Sequence, residues 1–154
     1  MIAKVRPLLE TMGKSIFETG AVGSGHAMKA LNNYVSAAGL TAACEALQIG
    51  EEFGLDPVMM TDILNASTGR NNSTEVKLKP FVIPKNYASG FSLGLMAKDL
   101  RTADDLARHL DLPAPFSEAL IELWEKAADT LGAAADHTAI DAYLATAKPH
   151  RRCR

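Results

Sequence analysis

The stretch Gly20–Asn33, GAVGSGHAMKALNN, decides how the rest of the chain is read. Three glycines run straight into Lys29, Asn32 and Asn33, and the sequence then continues as good helix former to about Phe53. The middle of that run carries Ser36, Ala37, Ala38, Gly39, Thr41, Ala42 and Ala43. A helix so long and so rich in small side chains has no purely exposed face, so it is expected to be central, with close-packed neighbours. Gly54 ends it, and Asp56-Pro57 opens the next helix with Asp at the N-cap and Pro at the first helical position, running to about Ala66.

Downstream of this centre, STGRNNST (67–74) leads into EVKLKPFVIPKNYASG (75–90), which Pro80, Pro84 and Gly90 punctuate into a short helix and loop. FSLGLMAKDLRTADDLARHL (91–110) places Leu95, Leu100, Ala103, Leu106, Ala107 and Leu110 on one stripe, and PFSEALIELWEKAADTLG (115–132) and HTAIDAYLATA (137–147) supply two more amphipathic helices. Upstream, Val5, Leu8, Leu9 and Met12 recur at helical spacing until Gly13, and SIFETG (15–20) reads as a short strand. Period-two alternation hardly recurs, so that strand is expected to be the edge piece of a sheet whose other strands lie outside this sequence. KPHRRCR (148–154) reads as a disordered tail.

A chain of 154 residues is one domain's worth and long enough to bury a core without staples. Hydrophobic content of 47%, charged content of 22% and a net charge of -2 give no basic excess to neutralise a phosphate backbone, which argues against a nucleic-acid partner. Cys44 and Cys153 form neither a disulfide framework nor a metal cluster, which fits a reducing cytoplasm. No apolar signal segment opens the chain, and the longest apolar stretch, 31–50, is interrupted by Asn32, Asn33, Glu45 and Gln48, so no membrane span is expected.

Lys29 and Asn33 are spaced i, i+4 and lie on one face of the long helix, near its amino end. An ammonium and an amide so placed can hold an oxygen substituent, the lysine giving a proton to a developing alkoxide while the amide fixes its position. Spacing alone leaves this open against a solvated first-turn lysine beside a surface amide. The glycines before the pair let a backbone or cofactor approach. GSGHAM (23–28) is not a dinucleotide fingerprint, because Met28 stands where the third glycine belongs. His26, His109, His137 and His150 are scattered, with no paired ligand spacing, so no metal site is expected.

GSGHAMKALNN, EALQIGEEFGLDP, STGRNNST and FSLGLMAKDL together resemble the C-terminal domain of the β-hydroxyacid dehydrogenases, the 3-hydroxyisobutyrate dehydrogenase family, over essentially the whole chain. The resemblance implies an all-α, multi-helix domain built around one long central helix (23–147), preceded by a helix-strand remnant of a dinucleotide-binding Rossmann domain (1–22). It implies the C-terminal substrate-binding and dimerisation domain of an enzyme that uses NAD or NADP to interconvert a small hydroxy acid and its semialdehyde or keto form. The cofactor would be bound mostly by the domain lying outside this sequence. Gly23, Gly25, Lys29, Asn32 and Asn33 match the family pattern G-x-G-x-x-x-K-x-x-N-N, which makes Lys29 the general acid/base and Asn33, with Asn32 and Gly25, the substrate side. Phe91, Lys98 and Asp99 match positions at the nicotinamide end of the cofactor, where Asp99 could also anchor neighbouring polar groups. Asn71, Asn72 and Ser73 lie where relatives often line the substrate side, although a helix cap explains them equally. A homodimer through the helices is expected, the isolated chain is expected to be inactive, and the alternative is a non-catalytic helical assembly module that keeps the family fold.

Overall fold

The computed structural model describes residues 2–146, so the tail expected to be disordered lies outside the described residues. Seven α-helices follow in order among them: α1 (Ile2–Met12), α2 (Ser24–Phe53), α3 (Pro57–Ala66), α4 (Asn72–Val76), α5 (Leu93–His109), α6 (Pro115–Leu131) and α7 (Ile140–Thr146). A π-helical turn, Leu78–Val82, and a 3-10 turn, His137–Ala139, complete the architecture. The all-α, multi-helix class around one long helix is therefore the observed one. No helix among the described residues is long and apolar enough to cross a membrane.

The bounds of α2 are set by backbone chemistry. Gly23 at its start and Gly54 at its end adopt φ of 95° and 101°, left-handed values that cost a residue with a Cβ, and the Gly54 N–H caps the carbonyls of Glu51 and Gly50. Asp56 then accepts the Met59 N–H at 2.7 Å and starts α3 with Pro57 behind it.

One side of α2 forms the floor of the core. Ala37, Leu40, Cys44 and Leu47 recur at helical spacing, all buried, and meet Leu93, Met96, Ala97 and Leu100 from α5, Leu120, Trp124 and Ala127 from α6, and Ile140 and Leu144 from α7. Each fully buried leucine contributes roughly 1.5–3 kcal/mol of transfer free energy. Trp124 is fully buried and donates its indole N–H to Thr41 Oγ1 at 3.0 Å, while the Thr41 hydroxyl donates to Ala37 O at 2.9 Å. The small residues of α2 are used for close approach: Met60 of α3 sits against Gly50 and the Asn71 side chain against Gly39.

A second polar assembly closes the opposite end. Asp141, 1% exposed, accepts from Gln48 Nε2 at 2.9 Å, Lys85 Nζ at 2.7 Å and Tyr87 Oη at 2.8 Å. Lys85 and Tyr87 both hold positive φ, 56° and 45°.

Two expectations are corrected. Residues 15–20 form no strand: a strand needs a ladder partner, the described residues offer none, and the segment is irregular with Phe17 exposed. The buried residues of α5 are Leu93, Met96, Ala97, Asp99, Leu100, Ala103 and Asp104, with Leu95 and Leu110 exposed. A stripe counted on leucines passes over Met96 and Ala97, which are buried in the core.

Candidate active site

The site assembles where α5 crosses α2 near its amino end. Lys29 and Asn33 project from α2, one turn apart, toward Asp99 of α5, whose side chain is 8% exposed. A single carboxylate oxygen, Asp99 Oδ2, accepts from both: from Lys29 Nζ at 2.5 Å and from Asn33 Nδ2 at 2.6 Å. Desolvation pushes the Asp99 carboxyl up, but the hydrogen bonds from Lys29 and Asn33 and the charges of Lys29 and Lys98 outweigh it, and the group is held below the ordinary carboxylate range. Lys29 stays open to solvent, with 58% of its side chain exposed. Its ammonium has three donors and Asp99 engages one side of it, which leaves donors free for a ligand oxygen.

The remaining expected residues fall around this centre. Asn32 is exposed and donates to Asn33 Oδ1 at 3.3 Å, so it fixes which face of the Asn33 amide meets Asp99. Lys98 is exposed and stands 3.7 Å from the other carboxylate oxygen of Asp99. Phe91 is half-buried, its ring edge-on to that of His137 at 5.6 Å. Gly25 is exposed in the first turn of α2, with Thr19 Oγ1 the nearest group to a Cβ there, and nothing among the described residues approaches Gly23. Asn71 is the N-cap of α4 in a capping box with Thr74, accepting the N–H groups of Ser73 and Thr74, so its side chain is committed to the helix start. Ser73 is buried and Asn72 exposed.

Beside Asn33 opens a cleft of about 280 Å³ that sequence reading did not anticipate. Its walls include Ser36, Lys77, Ser89, Phe91 and His137. Ser36 extends the row Lys29, Asn33, Ser36 along one face of α2, a spacing visible in the sequence, but Lys77, Ser89 and His137 arrive from three separate segments. His137 Nδ1 lies 3.0 Å from Ser89 Oγ and 3.1 Å from Phe91 O. Burial, reinforced by the charge of Lys77, depresses the His137 pKa below its ordinary value. Asp136 orders this wall, accepting Gly90 N–H, Ser89 Oγ–H and the N–H and hydroxyl of Thr138. Among the described residues no group of three or more His, Cys, Asp or Glu could hold a metal ion.

A family model described as "NAD-binding of NADP-dependent 3-hydroxyisobutyrate dehydrogenase" matches residues 23–144. The chain is similar to 2-(hydroxymethyl)glutarate dehydrogenase of Eubacterium barkeri, 32% identical over 79% of this chain and 40% of that protein. It is also similar to the mitochondrial 3-hydroxyisobutyrate dehydrogenase of Mus musculus, 38% identical over 72% of this chain and 35% of the relative. Among solved structures, Mycobacterium tuberculosis 3-hydroxyisobutyrate dehydrogenase with L-serine superposes with a TM-score of 0.83 at 30% identity, covering 93% of this chain and 51% of that one. The chain thus spans well under two thirds of the length of these relatives.

Proposed function

Because this chain belongs to the 3-hydroxyisobutyrate dehydrogenase family described as NAD-binding, we propose that it is the helical substrate-binding and dimerisation half of an NAD(P)-dependent dehydrogenase. The substrate class is a small hydroxy acid, interconverted with its semialdehyde or keto form. On this reading residues 1–22 belong with the dinucleotide-binding half and 23–147 form the C-terminal domain, which is inactive by itself. The observation that carries the proposal is Asp99 Oδ2 holding Lys29 and Asn33 together, with Lys29 still open to a ligand.

The bound cofactor would supply hydride transfer at the carbinol carbon. The donor set fits its nicotinamide end: Phe91 offers an apolar ring beside the cleft and Lys98 an exposed cation on the Asp99 side. Lys29 Nζ gives a proton to the substrate oxygen in reduction and takes one from it in oxidation. Asn33 donates one amide hydrogen to Asp99 and keeps the other for the same substrate oxygen. Asp99 orients both donors and balances the lysine's charge. Cys44 is buried and carries a free thiol, in keeping with a reducing, cytoplasmic compartment as part of the same proposal.

The test is an assay of the full-length protein with NAD⁺ and NADP⁺ over a panel of short hydroxy acids. Cofactor reduction with at least one of them is the expected result, and its absence across the panel favours the assembly-module alternative.

A further inference from the structure

The cleft beside Asn33 has a charge imbalance. Among the described residues, Lys77 is the one lysine or arginine lining it, and no aspartate or glutamate does. Half-buried at the end of α4, Lys77 reaches across to α2 and donates to Ser36 Oγ at 3.3 Å, a neutral acceptor at long range. Among the described residues no carboxylate forms an ion pair with it. Asp136, whose charge acts on Lys77, already accepts from Ser89, Gly90 and Thr138. Burial accordingly lowers the Lys77 pKa, with Asp136 only partly opposing it. His137, across the cleft, is kept neutral by burial and by the Lys77 charge, and an imidazole supplies no anion in either protonation state. A half-buried cation with no ion-pair partner among the described residues is costly and gains most from an incoming anion.

The position of that cation relative to the reacting end is set by α2. Lys29, Asn33 and Ser36 lie along one face, and Ser36 is roughly 4.5 Å of helical rise beyond Asn33 and roughly 10 Å beyond Lys29. A ligand whose hydroxyl sits between Lys29 and Asn33 therefore reaches Lys77 with an anionic group a few bonds from the carbinol carbon. Phe91 and Met96 flank the intervening path with apolar surface suited to methylenes. We propose that Lys77 binds a carboxylate remote from the reacting carbon, so that the cleft selects hydroxy diacids over hydroxy monoacids. This rests on the reading of Lys29 and Asn33 as the reacting end.

The experiment is calorimetric titration of the full-length protein with 3-hydroxyglutarate and with 3-hydroxyvalerate, in which a methyl replaces one carboxylate. The wild type binds the diacid at least about tenfold more tightly, the scale of one charge-assisted hydrogen bond. Lys77→Met and Lys77→Gln, checked as folded by circular dichroism, bring the ratio near one, while Lys77→Arg keeps most of it. No measurable diacid binding, a wild-type ratio near one, or a ratio that survives Lys77→Met overturns the proposal. Turnover by Lys29→Met separates the two readings: if Lys29→Met is inactive and the ratio is near one, only the Lys77 assignment fails, whereas an active Lys29→Met removes the reacting end itself.

Discussion

Lys29 on α2 and Asp99 on α5 meet at 2.5 Å across 70 residues of sequence. The contact lies where the two helices cross, so the packing that stabilises the domain also sets the reach of the lysine. In the full-length protein Lys29→Ala should lower kcat by at least roughly a hundredfold, with cofactor affinity little changed. Lys29→Arg should not rescue it, because a guanidinium does not release its proton near neutral pH. Steady-state kinetics with turnover within a few fold of wild type would make Lys29 a surface residue.

Asp99 should keep its charge well into the acid range. Its folded pKa lies below the ordinary aspartate value of about 3.8, so the unfolded chain takes up the proton first. The pairing is then fully present above about 3.8 and is lost as pH falls through the lower, folded value. The Asn33 side-chain amide resonances should stay constant on acidification to about pH 4 and move only below it. In Asp99→Asn that low-pH transition should vanish, and a transition persisting there would assign it to another group.

His137 gives a dependence nearer neutrality. Its pKa is depressed from 6.5 by burial and by the Lys77 charge, against the pull of Asp136. The unfolded chain protonates first as pH falls, so stability is highest above 6.5 and declines through the window beneath it, until the folded pKa is reached. Thermal melts between pH 7.5 and about 5 should show a falling Tm in the wild type and a flatter profile in His137→Gln. Equal slopes would contradict the assignment.

The Trp124–Thr41 bond separates packing from polar satisfaction. Trp124→Ala should cost about 3–5 kcal/mol through the cavity it leaves. Thr41→Val should cost about 1–3 kcal/mol, because the buried indole N–H loses its acceptor. Urea unfolding with unchanged m-values checks both. A Thr41→Val variant as stable as wild type would mean that the indole finds another acceptor.

Met28, Leu31 and Val35 form an exposed apolar row on α2, 53%, 39% and 67% exposed. Such a row on a long helix is expected to be covered by a second copy, burying on the order of 1,200 Å² or more in a twofold contact. Sedimentation at micromolar concentration should give a dimer, and Leu31→Glu should dissociate it. A monomer of 16.4 kDa in the wild type would remove the dimerisation claim.

The parts of this structure that are legible in the sequence are those fixed by local chemistry. Gly23 and Gly54 bound α2 because a left-handed residue must sit there, and Asp56-Pro57 starts α3 because one carboxylate caps one amide. The i, i+4 spacing of Lys29 and Asn33 likewise survives any tertiary arrangement. Residues 15–20 misled because alternation suggests a strand while pairing alone makes one. The Lys77–Ser89–His137 wall was illegible because three segments converge only after α5 and the Asp136 caps are in place. Asp99 lay between: its motif was visible, but its grip on Lys29 and Asn33 depends on the rotation of α5 that puts Met96 and Ala97 against the core.

The Asp141 assembly makes the carboxy-terminal helix a remote determinant of the cleft. Lys85 and Tyr87 hold left-handed backbones that cost about 1–3 kcal/mol each, and both are held there by one carboxylate from α7. The same loop goes on to deliver Ser89 and Phe91 to the cleft. Undocking of α7 would free those two residues to relax to ordinary φ and carry the wall away from His137, and would expose Ile140 and Leu144 of the core. Ligand affinity and the docking of a helix that touches no ligand would then rise and fall together.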